Sequence, residues 1–152
     1  MHNQYFKLLA VDDQIDRNRL LYNNLAEPKK SITFKFDLKY SSSWECFLAT
    51  DCSEYDAILL DVNLQHGWGV SLLDALKHIG HSCPIILVSY DWKEEHTIVR
   101  VDDILKQDIN VDIINVLSLN NLTDWPEKIE GDVITYQLSM AFAITRFKRE
   151  FK

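Results

Sequence analysis

Short apolar runs alternate with segments of helical spacing along most of the chain. Residues 7–11 and 55–61 each contain an unbroken apolar run of four residues, which predicts strands buried on both faces, as in a parallel sheet. Residues 31–38 alternate apolar with polar side chains, and this predicts an edge-type strand with one face in water. Residues 84–89 complete a set of four predicted strands.

Segments with helical spacing fill the intervals between these strands. They are predicted at residues 16–25, 44–50 and 70–79. Pro28 ends the first helix and Gly80 ends the third, because proline cannot continue a helix and glycine commonly follows a helix end.

The pattern after residue 89 permits two assignments. In the preferred one, residues 94–106 form a helix, residues 113–119 form the fifth strand and residues 132–151 form a long closing helix. The alternative makes residues 103–105 the fifth strand and residues 111–122 the fifth helix. We prefer the first assignment, because the alternative leaves the end of the chain without a place in the fold. The closing helix then carries Ile134, Leu138, Phe142 and Thr145 on one stripe.

Alternation of strands and helices predicts an α/β fold. With right-handed crossovers, the five parallel strands form one doubly wound sheet with helices on both faces, a three-layer arrangement. We interpret residues 1–152 as a single domain, because the length is that of one domain and no repeat, low-complexity tract or linker interrupts the pattern.

Charge and composition narrow the class of partner. The formal net charge of -7 argues against a nucleic-acid-binding protein, which would need a basic face. No apolar stretch approaches membrane-spanning length, and the start of the chain does not resemble a signal peptide. The three cysteines lack metal-ligand spacing and are interpreted as reduced thiols. The sequence therefore predicts a cytoplasmic protein without a nucleic-acid or membrane partner.

Acidic residues follow two of the predicted buried strands. Asp12 and Asp13 come directly after the first apolar run, and Asp61 comes directly after the run in the third strand. Ligands of open α/β sheets bind at the carboxyl ends of the strands. Three carboxylates gathered there would repel one another without a cation, and oxygen ligands suit a hard ion such as Mg²⁺. The pattern predicts a divalent-cation site, although Asp12 or Asp13 would also serve as a helix cap without any metal.

The order and spacing of these segments resemble the receiver domain of response regulators, the phosphoacceptor half of two-component signalling. Residues 8–13, Leu-Leu-Ala-Val-Asp-Asp, are similar to the first strand of that family with its acidic pair. Residues 58–64, Ile-Leu-Leu-Asp-Val-Asn-Leu, are similar to the phosphoacceptor strand, and Gly69 falls where the family has a glycine. Val88 and Ser89 resemble the end of the fourth strand. The resemblance covers roughly the first ninety residues and implies the flavodoxin-like receiver fold.

The resemblance implies a role for each of five residues. Asp61 would be the phosphoacceptor, attacking the phosphorus of a phosphohistidine. Asp13 and Asp61 would bind Mg²⁺ directly, Asp12 through a water molecule and Asn63 through its backbone carbonyl. Ser89 would donate a hydrogen bond to the phosphoryl group. Phosphorylation would then bias a conformational equilibrium.

The resemblance also implies partners. A histidine kinase or a phosphotransfer protein would supply the phosphoryl group to a stand-alone receiver. Signalling would proceed through surface contacts with a downstream protein target or a homodimer. The protein would not be an enzyme beyond phosphotransfer to Asp61 and autodephosphorylation there.

The sequence departs from the family pattern at the fifth strand. Receivers carry a lysine followed by proline at the end of that strand, and no Lys-Pro occurs in this chain. In the preferred assignment the position falls near Ser118, and Lys106 would serve only under the alternative one. A second hypothesis follows, namely a pseudo-receiver that binds partner proteins without switching by phosphorylation.

A third class, the aspartyl phosphohydrolases of the haloacid-dehalogenase type, has an Asp-x-Asp motif after the first strand. This chain has Asp12-Asp13-Gln14 instead, so we disfavour that class.

Overall fold

The computed structural model describes residues 4–13, 22–23, 25, 34–41, 43–62, 64, 68–89, 106, 110–118 and 130–150. Five strands lie within these residues: β1 (Gln4–Val11), β2 (Phe34–Ser41), β3 (Ala57–Asp61), β4 (Ile85–Ser89) and β5 (Ile113–Ser118). The labelled helices are α1 (Trp44–Leu48), α2 (Leu72–Ile79) and α3 (Glu130–Glu150), with a 3₁₀ turn at Cys52–Glu54. Five further described residues are helical: Tyr22, Asn23, Leu25, Trp68 and Lys106.

All four pairs of neighbouring strands are parallel, and the strand order is β2-β1-β3-β4-β5. Because β1 lies between β2 and β3, the chain winds outward from β1 in both directions, as in flavodoxin-like folds. The predicted fold class is confirmed. This topology places the carboxyl ends of β1 and β3 next to each other.

Two apolar clusters pack on opposite faces of the sheet. Alternate residues of β1 point to opposite faces, so that Leu8 and Ala10 enter one cluster while Leu9 and Val11 enter the other. The first cluster also contains side chains from the helical residues near position 22 and from α3: Tyr22, Leu25, Met140, Ala141 and Ile144. The second contains side chains from α1 and α2: Phe47, Leu72, Ala75, Leu76 and Ile79. Helices therefore cover both faces of the sheet, as predicted.

The structure decides between the two assignments of the last third of the chain. Residues Ile113–Ser118 form β5 and pair with β4, and residues Glu130–Glu150 form α3, so the preferred assignment is confirmed at both elements. The alternative is wrong, because the segment that it makes a helix pairs as the edge strand of the sheet. Lys106 is helical and therefore does not end a strand. The rest of the helix predicted at residues 94–106 lies outside the described residues.

Two residues of the apolar stripe predicted on the last helix are exposed and do not pack on the sheet. Leu138 and Phe142 are 52% and 69% exposed. The buried side chains of α3 are instead Gln137, Met140, Ala141 and Ile144. Apolar residues occur on two sides of α3, and the side that packs on the sheet includes the polar residue Gln137. The spacing of apolar residues alone therefore does not identify the buried side. Within the described residues no helix is long and apolar enough to cross a membrane.

Strand β2 extends beyond the predicted end at residue 38, and residues 31–33 lie outside the described residues. Its pairing with β1 continues through Ala10–Tyr40 and Val11–Ser41, so the ladder holds the strand extended up to Ser41. Ser43 is the N-cap of α1, where its side chain accepts a hydrogen bond from the backbone N–H of Cys46 at 3.1 Å. Tyr40 thereby reaches the carboxyl edge of the sheet.

His81 links the connection before β4 to the start of β5. Its Nδ1 lies 2.9 Å from Asp112 Oδ2 and its Nε2 lies 2.6 Å from Asn110 Oδ1. Both partners are acceptors, so both ring nitrogens donate when the imidazole is protonated. The Asp112 carboxylate, followed by the Asn110 amide, raises the pKa of His81 above its ordinary value of 6.5.

We expect this contact to make stability depend on pH. A raised folded-state pKa gives a contribution that is fully present below pH 6.5 and is lost as the pH rises through the folded-state pKa. An NMR titration should place the pKa of His81 above 6.5, and Asp112→Asn should move it back toward that value. Asp112→Asn should also reduce the fall in melting temperature between about pH 6 and 8. An imidazole titration that is the same in both proteins would contradict this assignment.

Candidate functional site

The candidate site lies where β1 and β3 end. Val11 pairs with Leu60, so the next residues along each strand, Asp12 and Asp61, lie side by side at the carboxyl edge of the sheet. Asp13 follows in the turn after β1. One carboxylate oxygen from each of the three residues lies within 4.8 Å of the other two. The structure thus brings together three of the predicted metal ligands.

The carboxyl groups of the cluster differ in exposure. Asp12 is 0% exposed and Asp61 is 4% exposed, whereas Asp13 is half-buried and forms the open side of the cluster. Two negative charges about 5 Å apart repel by about 3 kcal/mol at an effective dielectric constant of ~20. A divalent cation offsets this repulsion, and a donor set of oxygen atoms alone fits Mg²⁺. The residues present therefore fit the metal that the sequence resemblance implies.

A tyrosine that the sequence reasoning missed contacts this cluster. The Tyr22 hydroxyl donates a hydrogen bond to Asp12 Oδ2 at 2.9 Å, and both side chains are fully buried. The ring of Tyr22 packs edge-on against Tyr40, with 6.2 Å between the ring centroids. The sequence contains one signal for this contact. Tyr22 has the apolar Leu25 three residues away, which indicates burial, and a buried tyrosine hydroxyl usually finds a polar partner.

Ser89 is fully buried at the end of β4. Its neighbour Val88 pairs with Asp61, so Ser89 lies one residue beyond the position opposite Asp61 on the adjacent strand. Ser118 pairs with Ser89 in the β4–β5 ladder. A serine therefore ends β5 where the resemblance predicts a lysine. The predicted ligand Asn63 lies outside the described residues.

Aromatic packing anchors the segment that follows Asp61. The backbone N–H of Trp68 donates to the carbonyl of Leu64 at 3.0 Å, and Leu64 is fully buried. The Trp68 ring packs against Trp44 of α1, with 6.3 Å between centroids, and Trp44 packs against Phe47 at 5.5 Å. These contacts tie the loop after β3 to α1.

The sequence matches no protein-family model and no curated protein sequence. Solved structures of receiver domains do match the fold. One is the N-terminal domain of a response regulator/sensory box/GGDEF three-domain protein from Carboxydothermus hydrogenoformans, with a TM-score of 0.59, 14% identity and coverage of 96% of this chain and 99% of that one. A response regulator from Colwellia psychrerythraea matches with a TM-score of 0.57 and 16% identity over 91% of this chain and 96% of that one.

A third match is the phosphorylated cyanobacterial phytochrome response regulator RcpA, with a TM-score of 0.55 and 16% identity over 93% of this chain and 96% of that one. The chain has the receiver fold. At identities of 14–16% the likeness is one of fold, so the chemistry of the receiver site rests on the residues of this chain.

Proposed function

We propose that this protein is a response-regulator receiver domain in which Asp61 accepts a phosphoryl group from a phosphohistidine in a Mg²⁺-dependent reaction. The observation that supports it is the gathering of the Asp12, Asp13 and Asp61 carboxylates within 4.8 Å at the carboxyl ends of β1 and β3, in a receiver fold. The resemblance of the strand-end motifs gives each carboxylate its role.

Asp13 and Asp61 would hold Mg²⁺ directly, Asp12 would do so through a water molecule, and the backbone carbonyl of Asn63 would complete the protein ligands. When bound, the ion neutralises negative charge between the carboxylates and the incoming phosphoryl oxygens. An oxygen of Asp61 attacks phosphorus and forms a P–O bond while the P–N bond of the phosphohistidine breaks. The departing imidazole takes a proton from solvent. Ser89 then donates its hydroxyl proton to a phosphoryl oxygen.

Hydrolysis of the acyl phosphate by water returns the Asp61 carboxylate and releases inorganic phosphate. The protein would have no activity on a separate substrate. A histidine kinase or a phosphotransfer protein would supply the phosphoryl group. A downstream protein or a second copy of the chain would read the phosphorylated surface. We place this exchange in the cytoplasm, where the sequence analysis predicts the protein.

The test is labelling by a small phosphodonor. Purified protein incubated with acetyl phosphate and Mg²⁺ should gain one phosphoryl group by intact-mass spectrometry, and peptide mapping should place that group on Asp61. Chelation of divalent cations with EDTA should prevent the gain. Absence of labelling at any Mg²⁺ concentration, or labelling that EDTA leaves unchanged, would contradict the proposal.

One observation favours a second candidate function, a receiver-fold interaction module that does not switch. Ser118 pairs with Ser89, so β5 ends in a serine where the receiver resemblance predicts a lysine whose ammonium would contact the phosphoryl group. Loss of such a charge-assisted contact removes about 1.5–3 kcal/mol, which weakens the coupling between phosphorylation and shape more than it weakens the attack by Asp61.

Beryllofluoride separates the two functions. In the presence of Mg²⁺ it should shift the amide resonances of β4 and β5 if the domain switches. In an interaction module those resonances should stay in place, and partner binding should be the same for the parent protein and Asp61→Ala.

A further inference from the structure

We propose that Tyr22 is a positioning residue for the acidic cluster and holds Asp12 in the orientation in which it takes part in cation binding. This role rests on the proposed function. The juxtaposition that supports it is a fully buried phenol hydroxyl 2.9 Å from an oxygen of a fully buried carboxylate, one strand away from Asp61.

The hydrogen bond fixes how Asp12 presents its charge. A carboxylate turns about its Cβ–Cγ bond, and a donor at Oδ2 favours one orientation and leaves Oδ1 to face another partner. Hydrogen bonds from hydroxyl groups to ionised carboxylates are among the stronger ones in proteins. Groups that orient metal ligands in this way commonly determine metal affinity as strongly as some ligands do. Tyr22 therefore determines where Asp12 can hold a cation-bound water molecule.

Tyr22 is itself held from two sides. Its ring packs edge-on against Tyr40 of β2, and the Tyr40 hydroxyl donates a hydrogen bond to Asn23 Oδ1. The carbonyl of Leu25 accepts a hydrogen bond from Gln137 Nε2 of α3 at 2.8 Å, and Gln137 is fully buried. The Tyr22 ring therefore packs on β2, and Leu25, three residues further along the chain, is hydrogen-bonded to α3. We infer that these contacts with β2 and α3 help to fix the position of the phenol beside Asp12.

The experiment compares cation binding by the parent protein, Tyr22→Phe and Tyr5→Phe. Mn²⁺ takes the same oxygen ligands as Mg²⁺ and is followed directly by the electron paramagnetic resonance signal of the free ion. Tyr22→Phe keeps the ring and removes only the hydroxyl, and it should weaken Mn²⁺ binding about 10-fold. Tyr5→Phe also removes only a phenol hydroxyl, but Tyr5 is 53% exposed and lies near the start of β1, away from the acidic cluster, so its affinity should stay within about two-fold of the parent.

A second readout separates positioning from a general loss of structure. In acetyl phosphate labelling, Tyr22→Phe should raise the Mg²⁺ concentration for half-maximal rate about 10-fold and leave the rate at saturating Mg²⁺ within about two-fold. An equal loss of both, or Mn²⁺ binding equal to that of the parent, would overturn the role of Tyr22 and leave the proposed function standing. A parent protein that binds neither cation would overturn both.

If Tyr22→Phe alone does not fold, Asp12→Asn provides the remaining test. The amide side chain removes the buried charge that the phenol stabilises, so the double variant Asp12→Asn/Tyr22→Phe should fold with the circular dichroism spectrum of Asp12→Asn. A double variant that also fails to fold would show that the Tyr22 hydroxyl is needed for folding independently of Asp12, and this would overturn the proposal.

Discussion

Asp61→Asn should abolish phosphoryl labelling of the protein. The carboxamide is close in size to the carboxylate, so the buried end of β3 keeps its packing, but the side chain is no longer a nucleophile for phosphorus. We expect the rate of labelling by acetyl phosphate at saturating Mg²⁺ to fall by at least about 1000-fold, in the range seen when a single nucleophile is removed. Intact-mass spectrometry over a time course measures the two rates directly.

Asp74→Asn is the matched control for this substitution. Asp74 is exposed in the first turn of α2, away from the acidic cluster. Its substitution by Asn removes the same charge as Asp61→Asn does, so labelling of the Asp74→Asn protein should equal that of the parent. Labelling of Asp61→Asn at the parental rate would show that Asp61 is not the phosphoacceptor. Labelling that peptide mapping places on Asp12 or Asp13 would move the nucleophile to the end of β1.

The sheet was predictable because its central strands are buried on both faces. Every residue of β3 and of β4 is buried, and a strand in that position needs an apolar run without alternation. An acidic residue directly after such a run therefore lies at the carboxyl edge of the sheet. Asp12 and Asp61 could therefore be placed together from the sequence, once β1 and β3 were assigned as parallel strands.

The orientation of α3 was not predictable from apolar spacing. Its buried side includes Gln137, which packs inside because its amide donates to the carbonyl of Leu25. Its exposed residues include Phe142, which is larger than any of the apolar residues that this helix buries. A contact between segments more than a hundred positions apart in the chain decides which side of the helix is buried. The contact between Tyr22 and Asp12 was missed for the same reason, since a sequence pattern does not show which buried hydroxyl meets which carboxylate.

The register at the end of β5 also depended on the structure. Ile85 pairs with Ile113, but Ile86 pairs with Asn115, so an irregularity in the ladder advances β5 by one residue. Without it Leu117 would lie opposite Ser89, and with it Ser118 does. Serines thus end the adjacent strands β4 and β5 at paired positions. The position on β5 that pairs with Ser89 therefore carries no lysine.

Asp13→Asn should have opposite effects on cation binding and on the stability of the cation-free protein. Removing one of three clustered charges weakens a divalent-cation site, and we expect Mn²⁺ affinity to fall on the order of 100-fold. The same change relieves repulsion with the other two carboxylates, and it should raise the free energy of unfolding in EDTA by about 1 kcal/mol. Titration by electron paramagnetic resonance measures the first quantity, and urea denaturation measures the second.

The control for Asp13→Asn is Glu45→Gln, which removes one negative charge from an exposed position in the first turn of α1. It should leave Mn²⁺ affinity unchanged, so a general effect of net charge is separated from the effect of the cluster. The informative result is the combination of weaker Mn²⁺ binding with higher cation-free stability in Asp13→Asn. The folded protein holds three carboxylates within 4.8 Å of one another despite their repulsion. That combination would identify cation binding as the role of this unfavourable arrangement. Lower stability with unchanged binding would instead make Asp13 a structural cap for the segment that follows β1.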